Sequence, residues 1–390
     1  MADRPETLPN PDMSHEAPPP QDLRLGALRM WLASLPANRS LDPTSLRPAS
    51  SDASFRRYFR IDRQTEDGPP AGTERSWIIM DAPPQHEDCR PFLLVADLLA
   101  RQGVRVPAVL ERNLEHGFLL LGDLGDVTYA EAIAARPERI PDLYEGAIAA
   151  LVRLQGIPVA GTTLPHYDRE RLLAEMRLFP EWYVARHLGI DLSPAERAVL
   201  DAACDRLAVS ALDQAQVFVH RDYHSRNLMA PDADVGIVPR SRSGPGSASA
   251  PGPNLAAEPG VLDFQDAVIG PITYDLVSLL RDAYVEWPEP QQIDWAVRYW
   301  ERARRQGLPV PADFGRFWRD LEWMGLQRSL KVLGIFARLH HRDGKDRYLA
   351  DLPVVLRHAQ HVAERYDPFT PLARLLDRIH GRAREEGYTF

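Results

Sequence analysis

The chain has 390 residues and a formal charge of −9, from 46 Lys plus Arg against 55 Asp plus Glu. That length accommodates two domains or one large bilobal one, and the acidic balance argues against a nucleic-acid binder with a general basic surface. Two cysteines, Cys89 and Cys204, make no disulfide framework, and no apolar run reaches the roughly 18 residues that span a bilayer.

Residues 1–22 are rich in proline and poor in large apolar side chains, so a disordered head is expected there. The head is acidic and has no basic start followed by an apolar core, which is unlike a signal peptide; a cytoplasmic location is expected. An amphipathic helix follows, with Leu23, Leu25, Leu28, Met30, Trp31, Leu32 and Leu35 as its apolar positions. Next, "SFRRYFRI" (54–61) alternates like a strand, and "SWIIMDAP" (76–83) is a short apolar run closed by prolines. Residues 91–103 read as a helix stopped at Gly103, and "VPAVLERN" and "GFLLLGDLG" as two more strands.

After "GDLGD" the pattern changes to helices, at about 128–135, 141–155, 169–188, 194–212, 273–284, 291–306, 312–340 and 352–365. Short strands are expected at 217–220 and 260–264. The expected fold is α+β: a small β-rich lobe over 23–121 and a larger, mainly helical lobe over 122–390. Together they make a protein-kinase-like bilobal architecture with a hinge near Leu120 to Leu124. Residues 231–259 are rich in Ser, Gly, Pro and Ala and read as a flexible insertion in the second lobe.

Two patterns carry chemistry. "HRDYHSRN" (220–227) places an aspartate five residues before an asparagine. Phosphoryl transfer needs a carboxylate for the acceptor hydroxyl proton and an amide oxygen nearby for Mg²⁺, and a tight loop with this spacing supplies both. Asp222 is the expected base and Asn227 a metal ligand; His220 is expected to prop the loop. "VLDFQDAVIGPITYDL" (261–276) then follows, beginning with a strand that ends in Asp263, placed to bind metal bridging ATP phosphates. Asp266 is a lesser candidate for the same metal. Asp275 either caps a helix or hydrogen-bonds the catalytic loop.

A nucleotide-side reading is harder. "SSDASFRRYFRI" (50–61) stands where a phosphate-covering loop belongs but has no glycine; Ser51, Ala53 and Ser54 are small enough for backbone N–H groups to approach phosphates. The lysine that normally grips the phosphates is missing: Met80 holds the expected strand position, and the chain has no lysine before Lys331. Arginine is the natural substitute. Among Arg56, Arg57 and Arg90, the expectation falls on Arg57 and Arg90.

The order HxDxxxxN, DFxD, GPxxxDL resembles aminoglycoside phosphotransferases and the choline and homoserine kinases that share their fold. Within that family, "SSDASFRRYFR", "MDAPPQHEDCRPF", "LFPEWYVARHLG", "HRDYHSRNLM" and "QRSLKVLGIFARLHHRDGK" are similar to stretches of the bacterial anomeric kinases of N-acetylmuramic acid and N-acetylglucosamine. The likeness runs from about residue 24 to 365, and "MDAPP" in place of a lysine-bearing strand also looks like that branch. It implies phosphorylation of the sugar C1 hydroxyl with ATP and Mg²⁺, a product passed to a nucleotidyltransferase, and a role in peptidoglycan recycling. Sugar contacts are expected from Glu181, Trp182 and Arg186, and from Arg328 and Lys331, with a solvated basic helix face as the alternative for the last two. A kinase for another small hydroxyl compound, such as an aminoglycoside, and a nucleotide-binding regulator that has lost catalysis remain as competing readings.

Overall fold

The computed structural model describes residues 22–51, 55–64, 75–231 and 258–381. The expected disordered head up to residue 21, positions Ala53 and Ser54, and most of the 231–259 insertion lie outside the described residues.

The first part of the chain is a helix on a sheet. Helix α1 (Leu23–Ser34) precedes β1 (Arg47–Ser51), β2 (Arg57–Asp62) and β3 (Ser76–Asp81); α2 (Cys89–Arg101) then leads to β4 (Val109–Asn113) and β5 (Phe118–Gly122). The five strands form one antiparallel sheet in the order β1-β2-β3-β5-β4. Strand alternation decides which face each side chain takes. Phe118 and Leu120 of β5 join Ile61, Trp77 and Ile79 under Leu28 and Leu32 of α1. Leu119 and Leu121 point the other way, with Met80, onto Phe92, Val95, Ala96 and Leu99 of α2. A strand packed on both faces must be apolar throughout, and every residue of β5 is buried.

The remainder is mainly helical. It contains α3 (Tyr129–Ala135), α4 (Ile140–Gln155), α5 (Arg169–Leu178), α6 (Pro194–Asp213), β6 (Gln216–Val219), β7 (Leu228–Met229), β8 (Gly260–Val261), β9 (Val268–Pro271), α7 (Tyr274–Leu280), α8 (Glu289–Arg305), α9 (Phe314–Asp343), α10 (Leu352–Arg365) and α11 (Thr370–Ile379). The long α9 runs through the middle, packed by α5, α6, α7 and α10. Two short ladders, β6 with β9 and β7 with β8, carry the loops between them.

One expected helix, 169–188, is two pieces. Pro180 removes a backbone N–H, and the chain from Phe179 to His187 winds as a π-helix after α5. The junction rests on α9 at Gly334, where an added Cβ would lie 2.3 Å from the Leu178 carbonyl carbon. No helix among the described residues is long and apolar enough to cross a membrane.

Candidate active site

The site begins where buried β6 runs out at His220. Asp275, in the first turn of α7 and fully buried, accepts the backbone N–H of His220 at 2.7 Å and of Arg221 at 2.9 Å. Arg221 then takes a left-handed backbone, φ 79°, which turns the chain sharply. The His220 ring fixes the next step. Its Nδ1 accepts the Asp222 N–H at 3.2 Å, and its Nε2 donates to the Leu262 carbonyl at 2.9 Å. That pair of bonds needs the neutral tautomer protonated at Nε2. Burial holds the ring neutral by lowering its pKa to about 4.

The pairing of Leu228 with Val261 brings the end of this loop beside Asp263, although 36 positions separate Asn227 from Asp263. Leu262 N–H donates to the Asn227 carbonyl at 2.9 Å. The Asn227 side-chain amide donates to the Asp222 carbonyl at 3.0 Å and lies 3.4 Å from Asp263 Oδ2. Asp263 itself has φ 61°, a left-handed conformation that aspartate tolerates better than most residues, and its Oδ1 accepts from Gln265 at 2.7 Å. The Asn227 amide therefore bridges the backbone of Asp222 and the side chain of Asp263. With the Asn227 N–H groups turned to Asp222 and Asp263, its amide oxygen remains an acceptor. Carboxylate and amide oxygens are the hard donors that Mg²⁺ takes, so the residues present fit that ion. Asp266 is exposed.

Behind the loop stands a buried charge network on α9 and α5. Lys331 Nζ lies 3.1 Å from Glu175 Oε2 and 2.9 Å from the Tyr274 hydroxyl. Glu175 also pairs with Arg221 and accepts from the Tyr167 hydroxyl. Arg328 donates to the Arg221 carbonyl at 3.2 Å. Arg328 and Lys331 are both buried, which corrects the alternative of a solvated basic helix face. Burial alone would raise the Asp222 carboxyl, but Lys331, His224 and Arg328 outweigh it and hold the group below its ordinary range.

Several participants carried no motif. Glu175 lies outside every motif and reaches the loop through its ion pair with Arg221, and Tyr274, an unassigned position next to Asp275, receives Lys331 and Arg328. Asp282 accepts the Ser225 N–H at 2.9 Å and braces the loop from its far side. Asp282 stands seven residues after Asp275, just beyond α7, and no motif marks it.

The expected nucleotide contacts scatter. Ser51 ends β1, and only its backbone is described. Arg57 lies on the α1 side of the sheet, bound to Asp81 and Asp22, and Asp81 is also gripped by Arg24. Arg90 sits in the first turn of α2, exposed and held by Asp88 at 2.9 Å. Glu181, Trp182 and Arg186 occupy the π-helix, where the Arg186 guanidinium lies 3.9 Å over the Trp182 ring. Their segment crosses α9 at Gly334, three residues beyond Lys331.

The model of the phosphotransferase enzyme family matches residues 45–238 and 257–314. The chain is 46% identical over 362 residues to the N-acetylmuramate/N-acetylglucosamine kinase of Pseudomonas aeruginosa, covering 91% of this chain and 96% of that protein. It is 43% identical over 366 residues to the Neisseria meningitidis kinase of the same name, covering 93% and 98%. Among solved structures, aminoglycoside 2′-phosphotransferase-IIIa in its GDP complex aligns with a TM-score of 0.57 at 13% identity, covering 88% of this chain and 99% of that one. Plasmodium vivax ethanolamine kinase aligns with a TM-score of 0.56 at 10% identity, covering 86% and 87%. The two structural likenesses show the protein-kinase-like fold.

Proposed function

The chain belongs to the phosphotransferase enzyme family, and we propose that it is an ATP-dependent kinase of N-acetylmuramic acid and N-acetylglucosamine, acting at the anomeric C1 hydroxyl. The observation that carries the substrate class is the identity of 42–46% over more than nine-tenths of the chain with kinases named for these two sugars. The site chemistry supports the reaction type.

The C1 oxygen attacks the γ-phosphorus of ATP, its proton passes to the Asp222 carboxylate, and the bond to the β-phosphate oxygen breaks to release ADP. Asp222 suits this role because it stays ionised beside Lys331, His224 and Arg328. Asn227 and Asp263 would hold Mg²⁺, which supplies neutralisation of charge on the β- and γ-phosphate oxygens. Asp275 and His220 keep the loop in shape. Glu181, Trp182 and Arg186 supply sugar contacts, and Arg328 and Lys331 add positive charge toward an anionic substrate. The sugar 1-phosphate is a substrate for a nucleotidyltransferase, and the activity belongs in the cytoplasm, in peptidoglycan recycling.

The test is direct. Purified protein with ATP, Mg²⁺ and either sugar is expected to release ADP and form an acid-labile, alkali-stable sugar phosphate. No ADP release above background with either sugar would sink the reading.

A further inference from the structure

We propose that Arg56, held by Glu87, is the cation of the first lobe that grips the nucleotide phosphates in place of the absent lysine. The proposal rests on the reading of the chain as an ATP-dependent kinase, and it names a residue for a task that Met80, at the usual lysine position, cannot perform.

The register of the sheet separates Arg56 from its neighbour. Arg57 pairs with Asp81 across β2 and β3, and Tyr58 pairs with Met80. Side chains alternate along a strand, so Arg57 shares the α1 face with Phe59 and Ile61, where Asp22 and Asp81 bind it. Tyr58 takes the opposite face and packs against the core that contains Met80, Cys89, Phe92 and Phe264. Arg56, immediately before β2, falls on that same inner face. It stands one side-chain row beyond Tyr58 and Met80, about 7 Å along the strand.

The core under this inner face includes Phe264, the residue that follows the metal-side carboxylate. Phe264 follows Asp263 directly, and its ring lies 4.8 Å from the ring of Phe92 on α2. Glu87 stands two residues before α2 begins. Arg56 Nε is 3.3 Å from Glu87 Oε2, with side-chain exposures of only 11% and 18%, against 81% for Arg90. Glu87 Oε1 also accepts the Phe55 N–H at 3.3 Å, which fixes the turn into β2. Burial and Asp88 raise the Cys89 thiol pKa, and Arg56 opposes them, so the guanidinium's charge is felt at the head of α2.

The chemistry fits the position. A carboxylate at the head of α2 holding a cation on the inner face of the sheet reproduces a lysine–glutamate pair, with the cation moved from β3 to the entry of β2. A guanidinium carries five N–H donors in a fork, so one edge can hold Glu87 while another binds phosphate oxygens.

The experiment compares dissociation constants for ADP and for adenosine, measured on the full chain without sugar. Arg56→Ala is expected to weaken ADP binding roughly tenfold to a hundredfold and to leave adenosine binding as in the wild type. Arg56→Lys, which keeps the charge, is expected to recover part of the loss, and it carries the test if the alanine variant does not fold. Arg57→Ala and Arg90→Ala are expected to bind ADP at wild-type strength. Equal losses for ADP and adenosine in Arg56→Ala, unchanged ADP binding in it, or the phosphate-specific loss appearing in Arg57→Ala would each overturn the proposal. No sugar enters the measurement, so failure of the sugar-kinase reading would leave this result to stand or fall by itself.

Discussion

Asp275 accepts the backbone N–H of His220 at 2.7 Å with one carboxylate oxygen and that of Arg221 with the other. Two donors on one buried carboxylate fix the direction in which the loop leaves β6. Asp275→Asn keeps the volume but turns one oxygen into an N–H₂ group that faces an N–H donor. The expected result is a kcat lower by up to roughly a hundredfold, because the loop shifts, with little change in either KM. Unfolding in urea should show a loss of about 1–3 kcal/mol. Unchanged kcat would show that the loop holds its shape without Asp275.

Asp222 and Asp263 separate by kinetics. Asp222→Ala is expected to lower kcat by roughly 10²–10⁴-fold, the usual contribution of a positioned base, while ATP binding persists. Asp263→Ala is expected to raise the KM for Mg-ATP as well, because it removes an oxygen donor from the place where a metal would sit. Steady-state kinetics over a range of Mg²⁺ concentrations distinguishes the two. An Asp222→Ala variant with wild-type turnover would assign the proton to another group.

Lys331 allows a charge test of the same loop. Its ammonium is buried between Glu175 and the Tyr274 hydroxyl and helps to hold the Asp222 carboxyl low. Lys331→Met removes that positive charge, so the Asp222 pKa rises. A base works only when ionised, so the acid limb of the kcat profile should move to higher pH. Stability should fall by about 3 kcal/mol, since Glu175 loses its buried cation and keeps only Arg221. A profile with an unmoved acid limb would confine Lys331 to a structural role.

How far the sequence foretells all this depends on where each determinant resides. Strand β5 was legible because burial on both faces forces five consecutive buried residues into an apolar run. The approach of Asn227 to Asp263 and the bond between Asp275 and the loop were legible because motif spacing sets these residues at turns and at the start of a helix. Strand β1 was not, since Arg-Pro-Ala-Ser-Ser has no strand signature and owes its conformation to pairing with β2. Nor was the π-helix, because a periodic pattern runs through Pro180 without revealing how the backbone accommodates the missing N–H. The inward or outward face of Arg56 and Arg57 depends on register, which emerges only when Arg57 is set opposite Asp81. Glu175 joins the site by packing of α5 on α9, and no local pattern encodes that contact.

Gly334 is such a packing determinant, and it makes a sharp prediction. A Cβ there would lie 2.3 Å from the Leu178 carbonyl carbon and 2.6 Å from its oxygen. Backbone cannot rotate aside as a side chain does, so Gly334→Ala must separate α9 from the start of the π-helix. Calorimetry is expected to show a loss of at least about 1–3 kcal/mol, the usual cost of overpacking. The KM for sugar should rise more than the KM for ATP, because Trp182 and Arg186 move with that segment. A stable variant with both constants unchanged would mean that the crossing is looser than the structure has it.

His220 supplies a pH prediction whose sign can be worked out. Burial lowers its pKa from 6.5 in an accessible imidazole to about 4 in the folded chain. Between those values the unfolded chain binds a proton that the folded chain does not. Stability contributed by this group is therefore complete above about pH 6.5 and drains as the pH falls toward 4. Asp275 complicates the total, because burial raises its carboxyl to about 7 and gives a trend of opposite sign. A difference measurement removes that complication. The unfolding free energy of the wild type minus that of His220→Asn should shrink by roughly 2–3 kcal/mol between pH 6.5 and pH 4.5, at about 1.4 kcal/mol per pH unit. Activity should obey the same chemistry: a proton on Nδ1 removes the acceptor for the Asp222 N–H, so turnover should fall as His220 protonates even while Asp222 stays ionised. A difference that does not change across this range would show that the ring carries an ordinary pKa and that the neutral tautomer does not hold the loop.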